Sequence, residues 1–197
     1  TKLIWAVPAK NKITVPDSVT SIADNALKAG KATSVYLGKK VKIIGKDAIA
    51  GKKITKVSIS KKNKRMGKQG QCIYEKKSGK LLIAVAKKNV VKIGNKVKLI
   101  SEDASLCGSR QLKKLDIGAS VKTLQGAWGE FYRAGYVTTT KVYFRSKNPP
   151  KLTQNNDKSY CYLPIFRDVY VAKASLKKYK KWYKKNDALQ FVKLKTF

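Results

Sequence analysis

The chain has 197 residues and carries 45 lysines and arginines against 11 aspartates and glutamates, a formal net charge of +34 without any histidine. A hydrophobic content of 43% is enough for a packed core, so the composition excludes a disordered basic tail. The lack of histidine excludes Ser-His and Cys-His catalytic pairs and His-based metal sites, and no apolar run approaches the ~18 residues needed for membrane insertion.

The first predicted element is the apolar segment Lys2–Pro8, and a similar segment, Lys80–Ala86, follows at an offset of 78 residues. The alignment of the two segments continues without a gap for about 30 residues, with apolar residues on apolar and small on small. The aligned pairs include Ile13 with Val91, Val15 with Ile93, Val19 with Val97, Ile22 with Ile100 and Ala26 with Ala104. This pattern predicts that the two halves of the chain share one backbone path.

Each half contains a shorter repeat, of 22 to 24 residues, that opens with an apolar-x-apolar step. The step has the period of a short strand, and the spacings after it predict a turn and a short helical stretch, as in Ser21–Leu27 and Ser101–Leu106. A unit this short must stack on its neighbours to bury an apolar face, which predicts a parallel sheet of about six strands. The six steps are Ile13-x-Val15, Val35-x-Leu37, Val57-x-Ile59, Val91-x-Ile93, Leu115-x-Ile117 and Val142-x-Phe144.

The segment Ile13-Thr-Val-Pro-Asp-Ser-Val-Thr-Ser-Ile-Ala-Asp-Asn-Ala-Leu27 resembles the repeat of the BspA-like class of leucine-rich-repeat proteins, which occur on bacterial surfaces. The second half departs from this repeat, because Pro16 and Asp17 become Gly94 and Asn95. The resemblance implies an α/β fold over residues 1–145: a right-handed leucine-rich-repeat solenoid with short parallel strands on one face.

Between the two halves the 22-residue repeat is interrupted by two strand-like runs, Gln71–Glu75 and Lys80–Val85, on either side of Lys76–Gly79. A glycine-containing turn between such runs predicts a β-hairpin, inserted near residues 71–86. The resembled class commonly carries such a hairpin between repeat blocks. By analogy Thr1–Pro8 would be the second strand of an earlier hairpin, so we expect either that the chain begins inside a longer array or that its first residues are cut away.

From Ser146 the repeat stops, and we expect residues 146–197 to form a C-terminal cap with a strand at Asp168–Val171. Ala174–Lys185 is predicted as an amphipathic helix with Ser175 as its N-cap. Its aromatic face suits the closing of the last repeat, whereas the alternative is a basic helix that lies on a membrane or in a partner's groove. The aromatic face consists of Leu176, Tyr179, Trp182 and Tyr183.

Two rows of residues are candidate binding surfaces. The residue between the two apolar positions of each strand points away from the core. This first row is Thr14, Tyr36, Ser58, Lys92, Asp116 and Tyr143. A second row follows the central valine of the repeat and predicts a cationic stripe that attracts anionic polymers. It consists of Thr20 and the lysines Lys42, Lys98 and Lys122.

The sequence offers no catalytic constellation, no metal-ligand spacing and no cofactor motif. Glu102-Asp103 is the only adjacent acidic pair, and the repeat places it on a solvated turn. The three cysteines, Cys72, Cys107 and Cys161, have no metal spacing and cannot form a complete set of intrachain disulfides. Cys107 aligns with Ala29, which predicts a small buried residue. We therefore expect a non-catalytic protein without cofactor.

The resemblance implies a bacterial cell-surface or secreted protein that mediates adhesive or protein–protein binding, with a protein or an anionic polymer as its partner. One alternative is a structural spacer within a larger surface protein. Another is a nonspecific binder of polyanions or nucleic acid through the lysine-rich faces. Sequence-specific reading of nucleic acid is disfavoured, because only five basic residues are arginines, whose planar group recognises guanine at two atoms.

Overall fold

The computed structural model describes residues 1–4, 11–27, 31–49, 53–108, 111–126, 141–154, 168–186 and 191–197. In the first half, two parallel sheets of three strands each run along the stack of repeats. One contains β1 (Lys2–Leu3), β3 (Ser21–Ile22) and β5 (Ile43–Ile44). The other contains β2 (Lys12–Val15), β4 (Ser34–Leu37) and β6 (Lys56–Ile59).

The second half repeats this arrangement with longer sheets. Five parallel strands form its main sheet: β10 (Val90–Ile93), β13 (Lys114–Ile117), β15 (Lys141–Phe144), β17 (Asp168–Val171) and β18 (Lys193–Thr196). Three form its second sheet: β11 (Leu99–Ser101), β14 (Thr123–Gln125) and β16 (Lys151–Thr153). The 78-residue offset is visible in the pairing, because Lys2 lies beside Ser21 and Lys80 beside Leu99, both in parallel.

The apolar-x-apolar steps form the strands as predicted. Ile13, Val35 and Val57 are in register on β2, β4 and β6, and Val91 and Leu115 are in register on β10 and β13. These side chains are at most 6% exposed, so the buried residue of each turn rests on that of the next. The fold is therefore a parallel-strand solenoid of about six turns, as the repeat analysis predicted.

The predicted helical stretches within the repeats are wrong, and so is the α/β description of this part. Ser21–Ile22 is strand β3, and Asp24–Leu27 is a turn. The backbone N–H groups of Asn25 and Leu27 donate to the carbonyls of Lys46 and Ala48 in the next turn of the solenoid, at 3.1 and 2.8 Å. A helix would need partners within its own segment. Ser101–Leu106 likewise ends β11 and begins β12.

A four-stranded sheet separates the two halves. It contains β7 (Met66–Gln69), β8 (Cys72–Glu75), β9 (Leu81–Val85) and β12 (Ser105–Cys107). The two runs around Lys76–Gly79 pair antiparallel as β8 and β9, β7 pairs antiparallel with β8, and β12 lies parallel to β9. We call these four strands the partition sheet.

The partition sheet divides the interior into two hydrophobic cores. Alternate residues of a strand point to opposite faces, and here both faces are buried. Ile73, Ile83 and Val85 pack into the first-half core, whereas Cys72 and Ala84 pack into the second-half core. The continuous apolar run in β9 is thus explained by a strand that is covered on both sides.

The C-terminal segment holds a 3-10 helix, Lys173–Ser175, followed by α1 (Leu176–Lys185). Tyr179 and Tyr183 of α1 are fully buried in the second-half core, with Leu176 and Trp182 packed against it. Ser175 occupies the N-cap position, but its side chain makes no capping hydrogen bond because the 3-10 turn precedes it. Among the described residues, no helix has the length and apolar character needed to cross a membrane.

The division of the chain at residues 145 and 146 stays a prediction. The main sheet of the second half continues across that point, because β17 pairs with β15 and β18 pairs with β17.

Candidate binding face

The strand ladders bring the first predicted row together within each half. Thr14 pairs with Tyr36 and Tyr36 with Ser58 on the first-half sheet. Lys92 pairs with Asp116 and Asp116 with Tyr143 on the second-half sheet. All six positions are exposed or half-buried, while the apolar residues on either side of them are buried, apart from Ile59, which is half-buried. The two parts of the row lie on separate sheets, with the partition sheet between them in the chain.

The row continues past Tyr143 to two residues that the sequence reasoning missed, Tyr170 and Lys195. The step Val169-x-Val171 carries the same signal as the other strands, so Tyr170 could have been added to the row. Lys195 lies on β18, where only Leu194 is apolar, and this strand has no comparable signal.

Aromatic side chains stack along this extended row. The rings of Tyr143 and Tyr170 have centroids 4.5 Å apart and an interplanar angle of 10°. Parallel strands lie about 4.8 Å apart, so aromatic residues in register on neighbouring strands stack face to face. Phe197, which is 50% exposed, lies 6.1 Å from the ring of Tyr143.

Cationic groups lie against these rings. The ammonium of Lys114 is 4.2 Å from the ring centroid of Tyr143, and the guanidinium of Arg145 is 5.1 Å from the same centroid. Arg145 also lies 4.4 Å from the ring of Phe197, and Lys195 lies 5.6 Å from that of Tyr170. Contacts of this kind are favourable by about 0.5–1 kcal/mol each at exposed sites.

Asp116 holds Arg145 in place. Its carboxylate accepts hydrogen bonds from Nε and a terminal nitrogen of Arg145 at 2.7 and 2.8 Å, and Lys114 lies 3.8 Å away. Burial disfavours the ionised carboxylate, but the hydrogen bonds and charge of Arg145 outweigh it and lower the pKa of Asp116. We call this cluster the tyrosine face: Asp116, Tyr143, Arg145, Tyr170, Lys195 and Phe197.

The predicted cationic stripe is continuous in the second half. Lys122 donates its backbone N–H to the carbonyl of Lys98 at 2.8 Å, and Lys151 donates to that of Lys122 at 2.8 Å, so the three lysines lie on successive turns. All three are exposed. At a strand spacing of about 4.8 Å, two such charges repel by ~0.9 kcal/mol in water, and less with salt.

The first-half member of the stripe, Lys42, is exposed and bonds to Thr20 on the neighbouring turn, with its N–H 2.7 Å from the Thr20 carbonyl. Lys151 was not predicted, because it follows the repeats that the sequence aligned.

The groups considered for chemistry lie on a turn and in the two hydrophobic cores. Glu102 and Asp103 lie on a turn, and Asp103 pairs with Lys80 at 2.6 Å. Cys72 and Cys107 are buried, and burial raises the pKa of Cys72 to about 11. Cys161 lies outside the described residues. Within the described ranges, no three His, Cys, Asp or Glu residues come together as metal ligands.

A stack of parallel-strand turns with outward rows of side chains along its sheets defines a solenoid repeat protein. Residues 10–128 match six copies of the BspA type leucine rich repeat region, so the chain belongs to this family, and the resemblance seen in the sequence is confirmed. Proteins of this family are typically non-catalytic scaffolds for protein–protein interaction and are typically associated with bacterial surfaces. Comparison with curated proteins and with solved structures gives no match.

Proposed function

We propose that this protein is a non-catalytic binding protein of the bacterial cell surface or of the secreted fraction, and that the tyrosine face makes its adhesive or protein–protein contacts. The observation that carries this proposal is the in-register row from Lys92 to Lys195, in which stacked tyrosines stand beside partly buried cations.

The composition of the tyrosine face supports recognition of a partner. Tyrosine and arginine are enriched among the residues that contribute most to protein–protein affinity. Tyr143 is packed between Tyr170 and the cations Lys114 and Arg145. Side chains that are already ordered lose little conformational entropy when a partner binds.

The charge of this face favours an acidic partner. Asp116 is balanced by Arg145, and Asp168 pairs with Lys195 at 2.8 Å. Lys92, Lys141 and Lys193 are exposed on strands of the same sheet, and no described carboxylate forms an ion pair with them. Uncompensated positive charge speeds association with acidic surfaces and makes it sensitive to salt.

A specific observation also favours attraction of anionic polymers. Lys98, Lys122 and Lys151 form a row of exposed ammonium groups on successive turns, at a spacing that a linear polyanion can follow. This second activity is nonspecific and does not replace the proposed role of the tyrosine face. A structural spacer remains the alternative in which neither surface binds a partner.

Adhesion of beads tests the proposal. Fluorescent beads coated with the full chain are applied to epithelial monolayers and to bacterial cells, in parallel with Tyr143→Ser/Tyr170→Ser/Phe197→Ser. We expect the variant to lose adhesion about fivefold or more. The matched control is Tyr36→Ser, which changes the equivalent row position in the first half and should leave adhesion intact. Equal adhesion of wild type and triple variant would remove the tyrosine face from the proposal.

Placement at the cell surface is tested on the native protein in its own bacterium. A membrane-impermeant, amine-reactive biotin should label the chain on intact cells or in the culture supernatant, since most of its charge is lysine. Labelling that appears only after the cells are lysed would contradict the proposed location.

A further inference from the structure

A pocket of about 400 Å³ lies between β6, the edge strand of its first-half sheet, and the partition sheet. One wall is formed by Thr55, Lys56 and Val57, at the beginning of β6, the last strand of its sheet. The opposite wall comes from the partition sheet and its connections, including Lys68 and Lys87. The pocket is separate from the tyrosine face, none of whose residues line it.

On the side of the partition sheet, β10 is the edge strand of its own sheet, and the side chain of Gln71 bonds to that edge. The Nε2 atom of Gln71 donates to the carbonyls of Val85 and Val90, both at 2.8 Å, and its Oε1 accepts the N–H of Lys92 at 2.8 Å. Gln71 is therefore engaged in holding the partition sheet against β10. The other polar side chains of the pocket are those of Thr55 and three lysines.

Three lysines and no carboxylate line this pocket. Lys68 is anchored there, because its ammonium donates to the carbonyl of Val57 at 2.7 Å. Burial, and then repulsion from Lys56 and Lys87, lowers the pKa of Lys68. Other lysines of the described chain, such as Lys39, Lys80 and Lys195, have a carboxylate within 4 Å, whereas none of these three forms an ion pair there.

We propose that this pocket is an oxyanion site that takes the sulfate or phosphate ester group of a sugar. Tetrahedral oxyanions offer several acceptor oxygens to ammonium donors, and a group of lysines attracts them more strongly than a single exposed lysine does. The volume exceeds that of the oxyanion alone, within the range of small-molecule sites, and leaves room for the ring that carries it. Gly70 borders the pocket, and the space where its side chain would stand is open.

The test is a titration of the full chain, observed by two-dimensional amide NMR at constant ionic strength. The probes are sodium sulfate, glucose 6-sulfate and glucose 6-phosphate, with sodium chloride as the reference. We expect saturable shifts at Thr55, Gly70 and Gln71 with the oxyanions and none with chloride. Tighter binding of one sugar ester than the other identifies the source as sulfated or phosphorylated. Shifts that rise linearly without saturation would overturn the proposal.

A charge-matched pair of variants separates the pocket from general attraction. Lys56→Gln/Lys68→Gln/Lys87→Gln should weaken binding of glucose 6-sulfate about tenfold or more, since it removes all three ammonium groups. Lys98→Gln/Lys122→Gln/Lys151→Gln removes the same net charge from the cationic stripe and should leave binding within about twofold. Equal losses in the two variants would refute a pocket site.

A single substitution keeps the test valid if the pocket triple variant fails to fold. Lys87→Gln removes a side chain that makes no hydrogen bond among the described residues, so the fold should be retained. It is expected to weaken the binding about threefold, and unchanged binding in this folded variant would count against the site. Because none of these residues belongs to the tyrosine face, failure here leaves the adhesion proposal untouched, and the reverse also holds.

Discussion

Two buried tyrosines on α1 differ in a way that gives opposite predictions for the same substitution. Tyr179 and Tyr183 are both fully buried in the second-half core. The hydroxyl of Tyr179 donates to the carbonyls of Ser146 and Asn148, at 3.3 Å each. The hydroxyl of Tyr183 has no hydrogen-bond partner among the described residues. Burial raises the pKa of both phenols well above the usual range, so both are neutral at physiological pH.

Replacing each tyrosine by phenylalanine removes one oxygen and keeps the ring. Tyr179→Phe loses two hydrogen bonds whose donor–acceptor distances are long for hydrogen bonds, and this loss lowers the free energy of unfolding by about 0.5–1.5 kcal/mol. Tyr183→Phe removes an unpaired hydroxyl whose burial costs about 1–3 kcal/mol, so part of that cost is recovered as a gain of about 1 kcal/mol. The two variants should therefore differ by about 2 kcal/mol, or roughly 4–8 °C in melting temperature.

Urea denaturation followed by tryptophan fluorescence measures this difference. Trp182 lies 5.9 and 5.0 Å from the rings of Tyr179 and Tyr183, so it reports on the environment of both. The matched control is Tyr36→Phe in the half-buried row of the first half, which should change stability by less than about 0.5 kcal/mol. If Tyr183→Phe destabilised the protein as much as Tyr179→Phe does, the Tyr183 hydroxyl would have a partner and this reasoning would be refuted.

Three further predictions concern other parts of the chain. Asp116→Asn should lower the free energy of unfolding by about 1–2 kcal/mol near pH 7. Because the pKa of Asp116 is lowered in the folded state, this difference from wild type persists above about pH 5 and shrinks as the pH falls below about 4. A difference that stays constant down to about pH 2 would contradict the prediction. Asn63→Ala should lower the free energy of unfolding, measured by urea denaturation, by about 2–3 kcal/mol. The buried amide of Asn63 donates to the carbonyls of Gly38 and Val41 and accepts from the N–H groups of Arg65 and Met66. A loss below about 0.5 kcal/mol would show that water replaces these bonds. The chain should elute from heparin resin well above ~0.15 M sodium chloride, and elution at or below that concentration would remove polyanion binding from the account.

The sequence predicted the main ladders because each turn carries a strong local signal. The step Ile13-x-Val15 and its repeats place alternate apolar residues on one face, and stacking then fixes the register. The same logic orders the outward row, since Lys92, Asp116 and Tyr143 occupy equivalent positions of successive units. A short repeat that must stack thus determines which side chains become neighbours.

The remaining sides of the solenoid could not be predicted in this way. The residues after each main strand bond to the next turn of the stack, as Leu27 does to Ala48, and such partners lie 21 residues away or more. Spacing alone could not distinguish these turns from short helices. The run Lys80–Val85 predicted a strand, but its position between two cores depends on what covers each face.

The tyrosine face was only partly visible in the sequence. Arg145 reaches Asp116 across 29 residues, and its side chain also contacts Phe197 at the end of the described chain. No local pattern pairs these residues, because their proximity follows from the number of turns between them. The pocket beside β6 has no sequence signal either, since its lysines come from β6, β7 and the segment that follows β9.

The most direct test of the account is site-specific photo-crosslinking of the intact chain to cells. A benzophenone amino acid is placed at Lys141, an exposed residue on the same side of β15 as Tyr143, or at Lys98 on the cationic stripe as the control. Irradiation on epithelial or bacterial cells should give a discrete covalent adduct from position 141. Position 98 should give only diffuse products, which are lost when about 0.3 M salt is present during the irradiation, because salt screens the attraction that precedes crosslinking. Discrete adducts from position 98 alone, or none from position 141, would contradict binding through the tyrosine face.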